Sequence, residues 1–364
     1  MVPPTSDNSP PPTPWWAKES LARRRPRLIA RGRMLAAIRG FFADAGFSEV
    51  ETPALQVSPG MEVHLQAFAT RLDEPFGQGA RSLYLHTSPE FAMKKLLSAG
   101  ETKIFQFART FRNGERSATH HPEFTMLEWY RVNAGWRETV DDCRNFVLAA
   151  LAAVPKDKSL GGGLAWQGHV CDPAKPWDYL SVNEAFARYA KIDLGACLAP
   201  DPLNPESALL RRAAERAGHT LPAQGEWDDL FFHIFLAAIE PRLGAPVPTV
   251  LYDWPATMAA LARILPSDKR FAERFEIYAA GLELANGFTE LTDATEQRAR
   301  FEADQAKRQR LYGEHYPIDE DFLAALASMP PAAGVALGFD RLVMLATGAT
   351  TIDDVLWAPV ASAD

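Results

Sequence analysis

Apolar residues recur at three- and four-residue spacing from Arg31 to Phe47. Met34, Leu35, Ile38, Phe41, Phe42 and Ala45 share one face, which predicts an amphipathic helix stopped by Gly46. Val50 to Leu55 reads as a short extended piece broken by Pro53. Ser82 to His86 alternates as a strand does, and Thr87-Ser88-Pro89-Glu90 then opens a helix to Leu97, with Pro89 in its first turn and Gly100 past its end. Lys103 to Phe111 and Glu123 to Arg131 have strand character and flank a polar loop, which predicts a hairpin. Helical patterns follow over Glu138 to Val154, Val182 to Ala190, Glu206 to Ala217, Glu226 to Ile239, Asp293 to Leu311 and Glu320 to Ala327. Pro155 to Lys175 is Gly-rich and polar and reads as a loop. It opens a helical insertion, about 155–245, expected on one side of the main sheet. Val247 to Tyr252 reads as a buried strand and Arg274 to Thr289 as two strands around Ala279-Ala280-Gly281. Gly334 to Leu345 runs from a glycine-flanked strand into an apolar helix. The whole is an α+β pattern.

Composition narrows the class. A chain of 364 residues, 47% hydrophobic, can bury one large core with insertions, or two domains. The net charge of −8 is not the footprint of a general nucleic-acid binder. Cys143, Cys171 and Cys197 are widely spaced, which argues against a disulfide framework or a cysteine zinc site and for a reducing, cytoplasmic setting. The longest apolar run, Phe231 to Ile239, is too short for a membrane span, and the N-terminus has no apolar signal core. Met1 to Pro14 is Pro-rich and polar and reads as the core of a disordered tail, bounded at residue 20. Lys18 to Arg33 is basic around Arg23-Arg24-Arg25, either a patch for an acidic partner or a solvated helix start.

Candidate chemistry concentrates in four places. The hairpin loop holds Arg112, Glu115, Arg116, His120 and His121. An Arg leaving the first strand suits a phosphate, and Phe124 at the start of the second suits a base; an ordinary solvated loop is the other reading. Glu90, at a strand end and helix start, either complements the helix dipole or receives an ammonium in a pocket. With a two-residue turn, Glu276 and Glu283 lie directly opposite each other and suit Mg²⁺; a register off by one would turn them to solvent. Arg341 opens the last helix, after a Gly334-x-x-x-Gly338 strand whose small residues would admit a ligand, and suits a terminal phosphate.

These stretches also resemble a known family. FRN followed by PEFTMLEWY resembles motif 2 of the class II aminoacyl-tRNA synthetases, the Arg31 helix and its proline-broken strand resemble motif 1, and GVALGFDR resembles motif 3. TSPEF and ELANGFTEL add a lysyl-type character, and the likeness spans roughly residues 28 to 360. It implies a mostly antiparallel sheet flanked by helices, a homodimer built on motif 1, and a single catalytic domain over 21–364. No room is left for the anticodon-binding domain of lysyl-tRNA synthetases, so the chain is similar to the elongation factor P–(R)-β-lysine ligases, a truncated paralogue family. That family activates β-lysine with ATP and Mg²⁺ and transfers it to a lysine of elongation factor P, with no stable tRNA binding. Charging of tRNA with a separate anticodon module, or a non-catalytic amino-acid sensor, are the alternatives.

The resemblance carries roles residue by residue. Arg112 would hold the α-phosphate and Arg341 the γ-phosphate, both as catalytic groups. Asn113, Gly114, Glu115, His121, Phe124, Glu283, Leu284 and Gly338 would surround ATP, with Phe124 stacked on adenine and His121 standing where relatives have Asn. Glu276 and Glu283 match the Mg²⁺ ligands. Ser88, Pro89, Glu90, Tyr130 and Glu290 would surround the amino acid, as would Ala336, where lysyl-tRNA synthetases have Gly. Motif 2 usually reads Arg-x-Glu, whereas here Gly114 takes the Glu position and Glu115 follows one place later. The substrate carboxylate is already a nucleophile, so activation needs positioning and charge neutralisation and no general base. For deprotonating the acceptor lysine the sequence offers no candidate base.

Overall fold

The computed structural model describes residues 13–77, 79–155, 163–198 and 200–360. Most of the sequence expected to form the tail therefore lies outside the described residues. The first helix, α1 (Lys18–Asp44), starts 13 residues before the predicted Arg31 and runs through Pro26. The start was hidden because Lys18 to Arg33 has few apolar residues. The helix persists there because Arg24 is buried and donates to the carbonyls of Leu356 at 2.5 Å and Trp15 at 2.8 Å, while Arg23 pairs with Asp354 at 2.7 Å. Arg23 and Arg24 thus tie α1 to the C-terminal segment, while Arg23 and Arg25 remain exposed at this helix start.

The remaining elements in chain order are β1 (Ser48–Glu49), β2 (Leu55–Gln56), β3 (Phe68–Asp73), β4 (Ala80–Leu85), α2 (Glu90–Ser98), β5 (Lys103–Phe111), β6 (Glu123–Val132) and α3 (Trp136–Ala153). Next come β7 (Leu164–Trp166), β8 (His169–Cys171), β9 (Asp178–Ser181), α4 (Val182–Ala185), α5 (Leu194–Cys197), α6 (Ser207–Arg216) and α7 (Trp227–Ile234). The chain closes with β10 (Thr249–Pro255), β11 (Phe271–Ala279), β12 (Leu282–Thr289), α8 (Ala294–Tyr312), α9 (Glu320–Leu326), β13 (Ala332–Gly338) and α10 (Phe339–Thr347). Two differences from the expected pattern stand out. The segment read as a loop contains the β7–β8 hairpin, and the extended piece after α1 splits into β1 and β2, which belong to different sheets.

Eight strands form the main sheet in the order β1-β5-β6-β13-β12-β11-β10-β9, antiparallel except at its two edges. One face is apolar by strict alternation. Phe105, Leu127, Trp129, Val335, Leu337, Phe275 and Ile277 pack there against Met34, Ile38 and Phe42 of α1, Phe146 of α3 and Leu342 of α10. Burial of each such side chain contributes roughly 1.5–3 kcal/mol, so this layer fixes the sheet. The residues between them in sequence, Glu128, Tyr130, Gly334, Ala336, Asn286, Glu276 and Tyr278, line the cleft on the opposite face. Two further cores bound that face. One joins Phe91 of α2, Phe301 of α8 and Phe322 of α9; the other joins the insertion helices to Leu251, Trp254 and Tyr278.

Candidate active site

The cleft on the polar face of the sheet encloses about 1220 Å³. Cross-strand register sets Glu128, Ala336, Asn286 and Glu276 side by side across β6, β13, β12 and β11. A row of adjacent strands holds such groups at fixed spacing with little freedom to lose.

Arg341 and Arg112 line one part of the cleft, with Arg112 reaching towards the acidic part, where its Nε donates to the Thr87 carbonyl at 3.5 Å. Arg112 leaves β5 with its guanidinium carbon 5.3 Å from the centre of the Phe124 ring and its Nη1 3.9 Å from Glu115. Glu115 is therefore brought to this part, and the guanidinium covers a face of Phe124. Asn113 bridges to Gln66, and Gly114 turns the loop in the left-handed region at φ 79°, which favours glycine. Arg341, in the first turn of α10, donates from Nη1 to the Glu283 carbonyl at 2.8 Å, from Nε to the Thr119 carbonyl at 3.3 Å, and from Nη2 to His120 Nε2 at 2.6 Å. Burial, then the Arg341 charge, lowers the His120 pKa, in keeping with a neutral ring accepting that bond. Gly338 caps α10, and a methyl built on it would meet Arg341 only at ordinary contact distance. His121 is held to backbone on both ring nitrogens: Nδ1 lies 2.6 Å from the Glu123 carbonyl, and Nε2 accepts from Val360 N–H at 3.1 Å. The Arg116 guanidinium donates to the carbonyl of that same Val360 at 3.2 Å.

Glu276 and Glu283 share the cleft face, but not as a directly opposed pair. The β11–β12 turn has two residues, Ala280 and Gly281, one place later than a Glu276–Glu283 pairing needs, so Glu283 opposes Tyr278, and a bulge beyond Glu283 then sets Glu276 opposite Asn286. Leu284 and Ala285 both join the core, and Glu283 is turned into the cleft. Glu276 accepts from Arg274 at 2.6 Å and from the Tyr278 hydroxyl at 2.5 Å. Burial, and then the Glu283 charge, push its carboxyl up to about 8.

The other part is acidic. Ser88 and Tyr130 donate to the two oxygens of Glu128 at 2.8 and 2.5 Å. Burial, then Glu90, push Glu128 up to about 8. Pro89 is the residue just before α2 rather than in its first turn, and Glu90 opens the helix. Lys94, one turn along α2 and 1% exposed, reaches Glu90 Oε1 and Glu290 Oε2, each at 2.5 Å. Burial opposes the Lys94 charge, but Glu290 and Glu90 outweigh it and hold its pKa above the usual lysine value. Burial likewise pushes Glu62, beside Glu90, upwards. Gly334 is indispensable here: a Cβ on it would lie 2.2 Å from the Tyr130 ring and 2.6 Å from Glu290 Oε1. Its close approach is to Tyr130, where the sequence suggested a ligand.

Sequence reasoning missed Glu128, Lys94 and Glu62. Two signals were present. Glu128 stands two residues before Tyr130 and so shares its face of β6, and Lys94 stands four residues after Glu90 on α2.

The chain matches the family model for tRNA synthetases class II (D, K and N) over residues 18–362. The chain belongs to the class II tRNA synthetase family. Among its relatives, the elongation factor P–(R)-β-lysine ligase of Erwinia tasmaniensis is 42% identical over 345 residues, covering 94% of this chain and 96% of the relative. The ligase of the same name from Klebsiella pneumoniae is 42% identical over 334 residues, 91% of this chain and 94% of the relative. That from Haemophilus influenzae is 41% identical over 330 residues, 90% and 93% of the two chains. Family membership bears out the expected class II fold and an ATP-dependent ligase activity. No helix among the described residues is long and apolar enough to cross a membrane.

Proposed function

We propose that the chain activates (R)-β-lysine with ATP and joins it to a lysine side chain of elongation factor P. The observation that carries this reading is the pairing of two groups in one cleft: Arg112 and Arg341 for phosphate, and a cage of buried carboxylates for ammonium groups, in a chain matched over nine-tenths of its length by ligases of that name.

In the first step a carboxylate oxygen of the amino acid attacks the α-phosphorus of ATP and pyrophosphate leaves. Arg112 neutralises charge growing on the α-phosphate, and Arg341 holds the leaving end. The bonds from Arg341 to His120 and to the Glu283 and Thr119 carbonyls keep it aimed before substrate arrives. Glu276 and Glu283 fit Mg²⁺, because both are oxygen ligands on one face. Among the described residues no cluster of three or more His, Cys, Asp or Glu forms a complete metal site, so phosphate oxygens would complete the shell. Mg²⁺ bound there would add positive charge at the phosphates. In the second step the acceptor amine attacks the adenylate carbonyl and AMP leaves. We further propose that the acceptor is protein and not tRNA, that the enzyme works as a homodimer through the α1 region, and that it acts in the cytoplasm.

ATP–pyrophosphate exchange with (R)-β-lysine, followed by transfer of labelled amino acid in the presence of elongation factor P and bulk tRNA, tests the proposal. Exchange and labelling of the protein are expected; labelling of tRNA alone would refute the acceptor assignment.

A further inference from the structure

The cage of carboxylates contains its own ammonium. Lys94 Nζ lies 2.5 Å from Glu90 Oε1 and 2.5 Å from Glu290 Oε2, so those two oxygens are at most twice that distance apart. The Lys94 side chain is 1% exposed and the Glu290 side chain 0% exposed, and the ammonium also sits 5.2 Å from the Phe288 ring centre. The Glu290 carboxylate cannot relax into water, and that of Glu90, 11% exposed, has little room to do so. Removing the cation between them would leave two like charges in a site of low polarity, where repulsion is far stronger than at a surface. One oxygen of each carboxylate is thus committed to Lys94, and the others remain. Glu290 Oε1 is buried without a hydrogen-bond partner and lies beside Gly334, a residue of the cleft lining, while Oε2 has only the Lys94 ion pair. A buried carboxylate oxygen without a donor is costly unless a ligand supplies one.

Taking the proposed substrate as given, we infer that Lys94 is a positioning residue for amino-acid selection: by holding Glu90 and Glu290 on one nitrogen it fixes a short distance between the two places that receive substrate ammonium groups. That distance selects for the spacing of the two amines. In β-lysine they are related as in a 1,4-diamine, and in α-lysine as in a 1,5-diamine. A clamped pair of carboxylates favours the shorter spacing. A pair released from Lys94 spreads and loses the preference. One methylene of mismatch in a pocket is worth tenfold to a few hundredfold, about 10–200, in preference.

The wild-type enzyme gives the first test, using 1,4-diaminobutane and 1,5-diaminopentane as inhibitors of ATP–pyrophosphate exchange. Inhibition at least tenfold stronger by 1,4-diaminobutane is expected; equal or stronger inhibition by 1,5-diaminopentane overturns the inference even if no variant folds. The second test measures kcat and KM for β-lysine and α-lysine in Lys94→Met and Lys94→Ala. The ratio of the two kcat/KM values should fall at least tenfold, mainly through a higher KM for β-lysine, and added propylammonium should restore it in Lys94→Ala. A folded variant that loses activity equally on both amino acids would make Lys94 purely structural and overturn the inference. Absence of exchange with either amino acid in the wild type would instead sink the functional proposal, so the two failures are distinct.

Discussion

At the scale of single residues, the cleft separates groups that hold charge from groups that leave room for it. Arg112 is the clearest of the first kind. Arg112→Ala should lower pyrophosphate exchange by about 10²–10³-fold, the loss typical of a donor aimed at developing negative charge; near-normal exchange would remove Arg112 from the reaction. Ala336 is of the second kind, standing between Glu128 and Asn286 in the row across the sheet. Its methyl occupies space at the amino-acid end, so Ala336→Gly should shift preference towards α-lysine by roughly tenfold to a few hundredfold with the KM for ATP unchanged. Paired kcat/KM measurements check it, and an unchanged ratio would place selectivity in the carboxylate spacing alone. Gly334→Ala should be far more damaging, because its methyl would overlap the Tyr130 ring. A variant with wild-type melting temperature and wild-type KM for the amino acid would contradict the packing described for that site.

At the scale of elements, helices with a clear apolar stripe and strands with clean alternation were legible in the sequence. The β5–β6 hairpin, α3 and the β13–α10 junction lie close to where their patterns put them, as does α8, read as a highly charged helix. What escaped has identifiable causes. The N-terminal turns of α1 carry arginines in place of an apolar face, and the Leu356 carbonyl and Asp354 carboxylate that hold Arg24 and Arg23 lie more than 300 residues away in sequence. The turn falls at Ala280-Gly281, one residue later than a direct Glu276–Glu283 pairing needs, and the bulge that follows is announced by no residue type. Lys94 went unread because nothing in the sequence sets Glu290, its second partner, beside it. The α1 anchor makes its own prediction. Arg24→Ala removes charged donors from buried carbonyls and should destabilise the protein by about 3 kcal/mol in chemical denaturation, each such bond contributing about 1.5–3. A change below half a kcal/mol would mean that the segments hold together without it.

For the whole molecule, the concentration of buried acid sets the response to pH. Glu128 and Glu276 are both pushed up to about 8, mainly by burial. Their folded-state values lie above the unfolded ones, so the folded protein binds more protons. Their contribution to stability is fully present below about pH 4.5 and is lost as pH rises towards 8. Asp228 acts in the opposite sense, since its carboxyl is held low by His64 and Lys307 against burial, but its contribution is lost only in strong acid. The melting temperature of the substrate-free enzyme should therefore fall between pH 5.5 and pH 8.5. Mg²⁺-ATP and a diamino acid, whose positive charges favour the ionised carboxylates, should flatten that slope. A slope unchanged by ligands would show that these carboxylates do not meet them.

The double attachment of Val360 joins two parts of the chain that are remote in sequence. Its amide is held by His121 and its carbonyl by Arg116, both in the loop between β5 and β6 that carries the proposed nucleotide contacts. Any excursion of that loop must break these bonds or carry the end of the chain with it. Deuterium uptake at a single amide, that of Val360, becomes a clock for opening of the proposed nucleotide site.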